Sequence, residues 1–276
     1  MNTEVVLRWH RKLGVFLPAR EPINPADFEV AEIPDDDTAK RFIVEHHYSA
    51  TYPAARKRFG FYEHGSLVGV AVLSQPMSDG VLAGLPGAAE EKLELGRFMM
   101  LKRVKGNGET RFLGRFFDLL RREGFSAVVS HADPVPRQLA DGRFVTPGHV
   151  GIIYQGHNGV YQGRTKARTV YMLPNGAIFS DRAQQKIRSM ERGWRYAADQ
   201  LVESGARPLE PGEDSVAWMW AALRQVARRV RHPGNHRYAW LLAPPRRRTA
   251  ALVPSREPYP RFVEPPARAV PLPCAA

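Results

Sequence analysis

The stretch from residue 93 to residue 130 constrains this chain more than any other. It opens with an apolar run over 93–101 and continues through a glycine-bearing loop at 102–108. A helical pattern follows over 109–123, with Phe112, Phe116, Leu119 and Leu120 on one face and Gly124 as its stop. A second apolar run covers 125–130. A strand–helix–strand unit of this length places its two strands parallel in one sheet, joined by a right-handed crossover.

The flanking segments mostly return on themselves. Residues 28–33 read as a strand, and the acidic run Asp35–Asp37 starts a helix over 38–47. Runs at 59–62 and 67–73 form a hairpin around Glu63-His64-Gly65-Ser66, and 169–173 with 177–180 form a second around Pro174-Asn175-Gly176. Residues 150–161 read as a helix, as do 181–203, capped by Asp181, and 215–230, capped by Ser215. Prolines at 18, 22 and 25 interrupt the first 27 residues. The expected fold is mixed α/β (α+β), with a largely antiparallel sheet and flanking helices. Its expected parts are a catalytic domain over 1–180, a helical extension over 181–243, and a tail over 244–276. Nine prolines in those last 33 residues, with Arg246-Arg247-Arg248, give the tail a disordered composition.

Charge narrows the function. Lys and Arg number 40 against 28 Asp and Glu, a net of +12 over 276 residues. Such an excess points to a polyanionic partner, nucleic acid before membrane. The single cysteine, Cys274, rules out a disulfide framework or a cysteine zinc site. No apolar run approaches the ~20 residues that span a bilayer, and the first ten residues lack a signal-peptide core. The expected location is therefore the cytoplasm.

Two places carry candidate chemistry. In Arg103-Val104-Lys105-Gly106-Asn107-Gly108 the glycines allow close backbone approach to an anion, and the next helix adds its positive end. Lys102, Arg103 and Lys105 add full charges. No Gly-Lys-Ser/Thr follows, so this is not a Walker loop. At the end of strand 125–130 stands Ser130-His131-Ala132-Asp133-Pro134, whose carboxylate can accept hydrogen bonds from an exocyclic amine. The end of helix 38–47 brings His46-His47-Tyr48. His47, Tyr48 and Asp133 offer a nitrogen and oxygen set suited to iron, but histidines at a helix end also cap its negative pole. Arg97 lies on strand 93–101 and reads either as a site cation or as a buried partner of Glu94 or Asp133.

The loop in its strand–helix–strand setting resembles the acyl-CoA loop of GNAT acyltransferases. That likeness implies that Arg103, Gly106, Asn107 and Gly108 hold acetyl-CoA or a related acyl-CoA, with Asn158 and Tyr161 near the thiol end. A valine at Gly108 is then expected to block phosphate and spare the fold. Further segments resemble the Mom family of DNA adenine-modification proteins, a GNAT-like group. They are His46-His47-Tyr48-Ser49, Tyr52-Pro53-Ala54-Ala55, Leu95-Gly96-Arg97-Phe98, Gly106-Asn107-Gly108-Glu109-Thr110, Ser130-His131-Ala132-Asp133-Pro134, Ile153-Tyr154-Gln155-Gly156-His157-Asn158 and 231–240. This resemblance implies conversion of adenine in double-stranded DNA to N6-carbamoylmethyl (acetamido) adenine, which protects phage DNA from host restriction. By the same likeness His47, Tyr48, Arg97 and Asp133 form the reaction site, with iron a further cofactor. Simple acyl transfer would leave N6 on a carbonyl, whereas this product has a methylene there and an amide beyond. Two other classes stay open: an ordinary GNAT acetyltransferase of a protein or small amine, and a non-catalytic DNA-binding protein on the same scaffold.

Overall fold

In the computed structural model, residues 5–18, 22–76, 78–139, 144–242 and 257–261 are described. The chain divides into two compact units. One comprises Met1–Pro134, Gly148–Thr165 and Asn235–Glu264; the other comprises Val135–Pro147, Lys166–Gly234 and Pro265–Ala276.

The first unit begins with an antiparallel hairpin, β1 (Val5–His10) and β2 (Leu13–Pro18). The expectation of broken, mixed structure there is corrected, because Pro18 only closes β2. Next come β3 (Phe28–Glu32), α1 (Asp36–His46), β4 (Ala55–Glu63), β5 (Ser66–Ser74) and β6 (Lys92–Met100). Asp35 caps α1 through the Thr38 amide at 2.7 Å. Helix α2 (Gly108–Arg122) and strand β7 (Ala127–Ala132) complete the crossover.

Beyond β7 the observed order departs from the expected one. In the second unit, β8 (Arg137–Gln138) and β9 (Phe144–Thr146) pair with each other. In the first unit, the helix expected over 150–161 is one turn, α3 (Ile152–Gly156), followed by strand β10 (Val160–Arg164). The second unit then has β11 (Arg168–Met172), β12 (Ile178–Phe179), α4 (Asp181–Arg188), α5 (Trp194–Glu203), α6 (Ser215–Val226) and β13 (Arg228–His232). The expected helix 181–203 is thus two, parted where Met190 and Gly193 turn left-handed. Its cap is Ser180 rather than Asp181, and Asp214 rather than Ser215 caps α6. The expected extension of α6 to 230 is instead the start of β13. Strand β14 (His236–Leu241) belongs to the first unit.

The main sheet of the first unit runs β10-β14-β7-β6-β5-β4-β3. All neighbours are antiparallel except β6 and β7, which are parallel as the crossover required. Strand β14 takes the place beside β7, so the division at 180 differs from the observed units. Helix α2 covers one face, packing Phe112 and Phe116 against Phe59, Phe61 and Phe98 at ring separations of 5.1–5.5 Å. Helix α1 covers the other through Ala39, Phe42 and Ile43 on Val70, Val72 and Met99. In the second unit, β12-β11-β13 form a sheet, and Phe179, Ile187, Leu201, Trp218 and Leu223 form a separate core.

Most of the tail expected from 244 lies outside the described residues. Residues 257–261 return to the first unit, where the Tyr259 hydroxyl donates to Gly159 O at 2.9 Å and Gln155 Nε2 donates to Pro260 O at 3.1 Å.

Candidate active site

The parallel pairing of β6 and β7 ends early. It runs from Lys92 opposite Ala127 to Leu95 opposite Ser130, while β6 continues to Met100 and β7 to Ala132. The two strands therefore part at Leu95 and Ser130. A bulge in β6 shapes the opening: Arg97 faces Val72 and Leu95 faces Leu73, so Gly96 is the extra residue. A Cβ at Gly96 would meet Ser74 Oγ at 2.6 Å. The bulge lets Leu95 stay in the core under α2 while Arg97 pairs beside Val72, a residue of the core under α1.

Tyr154, on α3, supplies the central group of this opening. It is buried, with its ring against Tyr238 and Trp240. Its hydroxyl has a hydrogen bond with Ser130 and lies within the fields of Tyr48, Arg97 and Glu94. Burial pushes that hydroxyl up to about 12, and the Ser130 bond and the Arg97 charge pull it partly back. Gly151 makes the position possible. It caps α3 at φ 74°, and a Cβ there would meet Tyr238 at 2.7 Å and Tyr154 at 2.9 Å.

The expected residues fall into two groups. Tyr48 and Arg97 both lie within electrostatic reach of the Tyr154 hydroxyl. Arg97 also grips the turn after α1, donating from Nε to Thr51 O at 2.9 Å and from a terminal nitrogen to Thr51 Oγ1 at 2.6 Å. His47 stacks on Tyr48 at 4.3 Å, and its Nδ1 is engaged by Ser49, whose amide donates to it at 3.1 Å. Asp133 stands just beyond β7, and its carbonyl accepts from the His149 amide at 2.8 Å. Glu94, which the sequence offered only as a partner for Arg97, lies against His131 Nδ1 at 3.1 Å.

Iron held by His47, Tyr48 and Asp133 gains no support from the structure. His47 follows α1, with its backbone amide on Ile43 O at 2.9 Å. Among the described residues, no three or more His, Cys, Asp and Glu side chains gather to hold a metal ion.

The anion loop also changes its cast. Gly108 is buried, and a Cβ there would meet Val104 at 2.6 Å and Met100 at 2.9 Å. Its missing side chain admits the loop's own core, so the expectation that valine at 108 spares the fold is corrected. Asn107 Oδ1 accepts from the Ile23 amide at 2.7 Å. Arg103 lies 3.3 Å from Glu63. Beneath the loop is a buried pair the sequence did not disclose: Arg8 reaches Glu109 at 2.6 and 2.8 Å and donates to Lys105 O at 2.7 Å. The exposed Lys102 and Lys105, the Gly106 backbone and the α2 N-terminus remain suited to an anion. Asn158 is an exposed left-handed turn residue at φ 56°, not part of a helix. Tyr161 is on β10, with its hydroxyl 2.8 Å from His236 Nδ1.

A largely antiparallel sheet that parts between its two parallel strands, with a helix N-terminus after the first of them, defines a mixed α/β fold. The chain belongs to the Mom protein family, whose model matches residues 27–261. No curated protein matches it. Among solved structures it is similar to a tandem GNAT protein from the clavulanic acid biosynthesis pathway, at 11% identity over 79% of this chain and 99% of that one, TM-score 0.41. A putative acetyltransferase from Salmonella typhimurium with its cofactor acetyl-CoA matches at 11% identity over 82% and 98%, TM-score 0.37. An N-acetyltransferase from Staphylococcus aureus Mu50 matches at 16% identity over 41% of this chain, TM-score 0.27, and little more than half of that protein, 56%, is covered. Among the described residues, no helix is long and apolar enough to cross a membrane.

Proposed function

We propose that this protein transfers an acyl-derived group from an acyl-CoA donor to adenine N6 in double-stranded DNA. The product is N6-carbamoylmethyl (acetamido) adenine, and the modification protects phage DNA from host restriction in the bacterial cytoplasm. The observation that carries this reading is the parting of β6 and β7 at Leu95 and Ser130, with the Tyr154 hydroxyl within reach of the charges of Arg97 and Glu94, in a chain of the Mom family. The net charge of +12 supports a DNA substrate.

Each residue has a task its chemistry allows. Adenine N6 is a weak nucleophile, because its lone pair is delocalised into the ring, so it must be oriented as well as deprotonated. The Asp133 carboxylate only accepts hydrogen bonds and suits an amine with two hydrogens to offer. The Tyr154 hydroxyl keeps its proton at neutral pH and can deliver it from Oη to a departing thiolate. Arg97 holds the turn at Thr51 that carries Tyr48, and its charge favours negative charge developing nearby. Lys102, Lys105, Gly106 and the α2 N-terminus would hold the pyrophosphate of the donor. Acyl-CoA, when bound, would supply the two-carbon unit and release CoA thiol; from acetyl-CoA, the N6–methylene bond and the terminal amide require in addition an amine nitrogen donor and a two-electron oxidant as co-reactants.

Mass spectrometry of nucleosides from plasmid grown with the protein tests the reading. Modified adenine is expected with the natural chain. Asp133→Asn should retain part of the yield and Asp133→Ala almost none, with DNA affinity nearly unchanged because phosphate contacts dominate it. Unmodified plasmid from a folded, expressed protein would overturn the reading. Near-normal yield from Asp133→Ala would remove Asp133 from it.

A further inference from the structure

The second unit carries a cleft that the chemistry above does not use. It has a volume of about 300 Å3 and is lined by Tyr171, Trp220, Leu223, Arg224, Ala227 and Arg229. Its construction follows from two local periods. Trp220, Leu223, Arg224 and Ala227 recur at helical spacing along α6 and just past its end, so they share one face. Tyr171 and Arg229 are directly opposite each other on β11 and β13, so they point the same way from the sheet. The Tyr171 and Trp220 rings stand 5.9 Å apart at 59°.

Charge separates this cleft from the rest of the unit. Among the described residues, no carboxylate lines it. Two arginines outside the cleft are paired: Arg168 lies 3.1 Å from Asp181, and Arg182 lies 2.6 Å from Glu191. Arg224 and Arg229 are exposed and have neither an ion pair nor a side-chain hydrogen bond among the described residues. Two residues further along β13, the exposed Arg231 falls on the same face as Arg229, opposite Thr169. The strand rise sets these two arginines about 7 Å apart, close to the spacing of successive phosphates in an extended strand.

We propose that this cleft binds an unstacked base of the DNA strand against Trp220, beside Tyr171, with Arg224, Arg229 and Arg231 on the adjoining phosphates. Aromatic faces accept any base by stacking, and guanidinium groups hold the backbone without reading sequence. An uncharged aromatic ligand would leave the unpaired arginine row unused, and a peptide would need backbone partners that the lining side chains do not offer. The proposal rests on DNA being the substrate.

Fluorescence anisotropy of the full chain tests it, using a single-stranded oligonucleotide and the fully paired duplex of the same sequence across a salt series. Trp220→Leu keeps apolar volume and removes the stacking face. It should weaken single-strand binding by about tenfold and duplex binding by less than about twofold. The double variant Arg224→Gln, Arg229→Gln should lower the single-strand log–log salt slope by about 1.4. Wild-type affinity for the single strand in Trp220→Leu, or an unchanged slope in the double variant, would overturn the cleft while the natural chain still binds DNA. Should Trp220→Leu fail to fold, the slope of the surface double variant decides alone. A natural chain that binds neither probe would overturn the DNA reading and the cleft with it.

Discussion

The anion loop at 102–108 and the parting of β6 and β7 lie a few residues apart on the same strand–helix–strand unit, yet they are built on opposite principles. The loop spends its distinctive residues on holding itself. Gly108 admits Val104 and Met100, Asn107 secures Ile23, and Glu109 neutralises the buried Arg8. What it leaves for an anion is backbone, helix end and exposed lysines. The parting gathers residues from α1, α3, β6 and β7 that have no common motif, because it is the place where strand pairing stops. A conspicuous motif can thus be mostly scaffold, while the reactive groups sit where regular structure ends.

The sharpest way to break that contrast is Glu109→Ala. The Arg8 guanidinium would remain buried without its carboxylate, which typically costs about 3–5 kcal/mol. A fall in the urea midpoint of corresponding size is expected, with acetyl-CoA affinity lost along with loop order. A replacement of both partners, Arg8→Met with Glu109→Leu, should recover much of the stability. If Glu109→Ala is as stable as the natural chain, the loop is not held from below and its residues are free for ligand.

Next in size is Tyr154→Phe. The ring contacts with Tyr238 and Trp240 persist and only the hydroxyl beside Ser130 is lost. Thermal stability should hardly move, while the modification rate should fall about 100-fold, the low end for loss of a positioned proton donor. A rate within a factor of about three of the natural chain would make Tyr154 a packing residue and leave the parting without its central group.

These two variants also mark what was legible in the sequence. Helix α2 was, since Phe112, Phe116 and Leu120 repeat at helical spacing and a glycine stops the run. So was the parallel crossover, which handedness alone fixes. Tyr48, Arg97 and Asp133 could be named because they flank elements that were read correctly. Read as one helix, 150–161 gives no reason to single out Tyr154 above Asn158 and Tyr161. The signal that could have corrected this is Gly151 with Gly159, two close-packed glycines bracketing a single turn. The Arg8–Glu109 pair spans 101 residues and leaves no local trace. Strand β14 did leave one, with His236, Tyr238 and Trp240 alternating against Arg237 and Ala239, but its place beside β7 depends on a partner a hundred residues away. Long-range pairing is what local periodicity cannot supply.

The smallest expected effect concerns the far wall of β7, where β14 packs. His236 is buried opposite Ala132, with Nδ1 on the Tyr161 hydroxyl. Burial, and secondarily the charge of Arg164, push its imidazole down to about 4. In the unfolded chain a histidine takes its proton near pH 6.5, at about the ordinary value. Between those two values the unfolded state binds more protons than the folded one, so stability is complete above about pH 6.5 and declines as pH falls towards 4. The slope from this one group is at most about 1.4 kcal/mol per pH unit. Carboxylates and His157, which burial also shifts downward, contribute to the total, so the difference between two chains isolates His236. Urea midpoints of the natural chain and His236→Gln, followed from about pH 7.5 to about pH 4.5, should converge on acidification as the natural chain loses its extra term. An acid-labile wall beside β7 with an unchanged anion loop would separate the two regions once more. Parallel curves would mean that His236 accepts a proton without loss of fold, and that this wall is open to water.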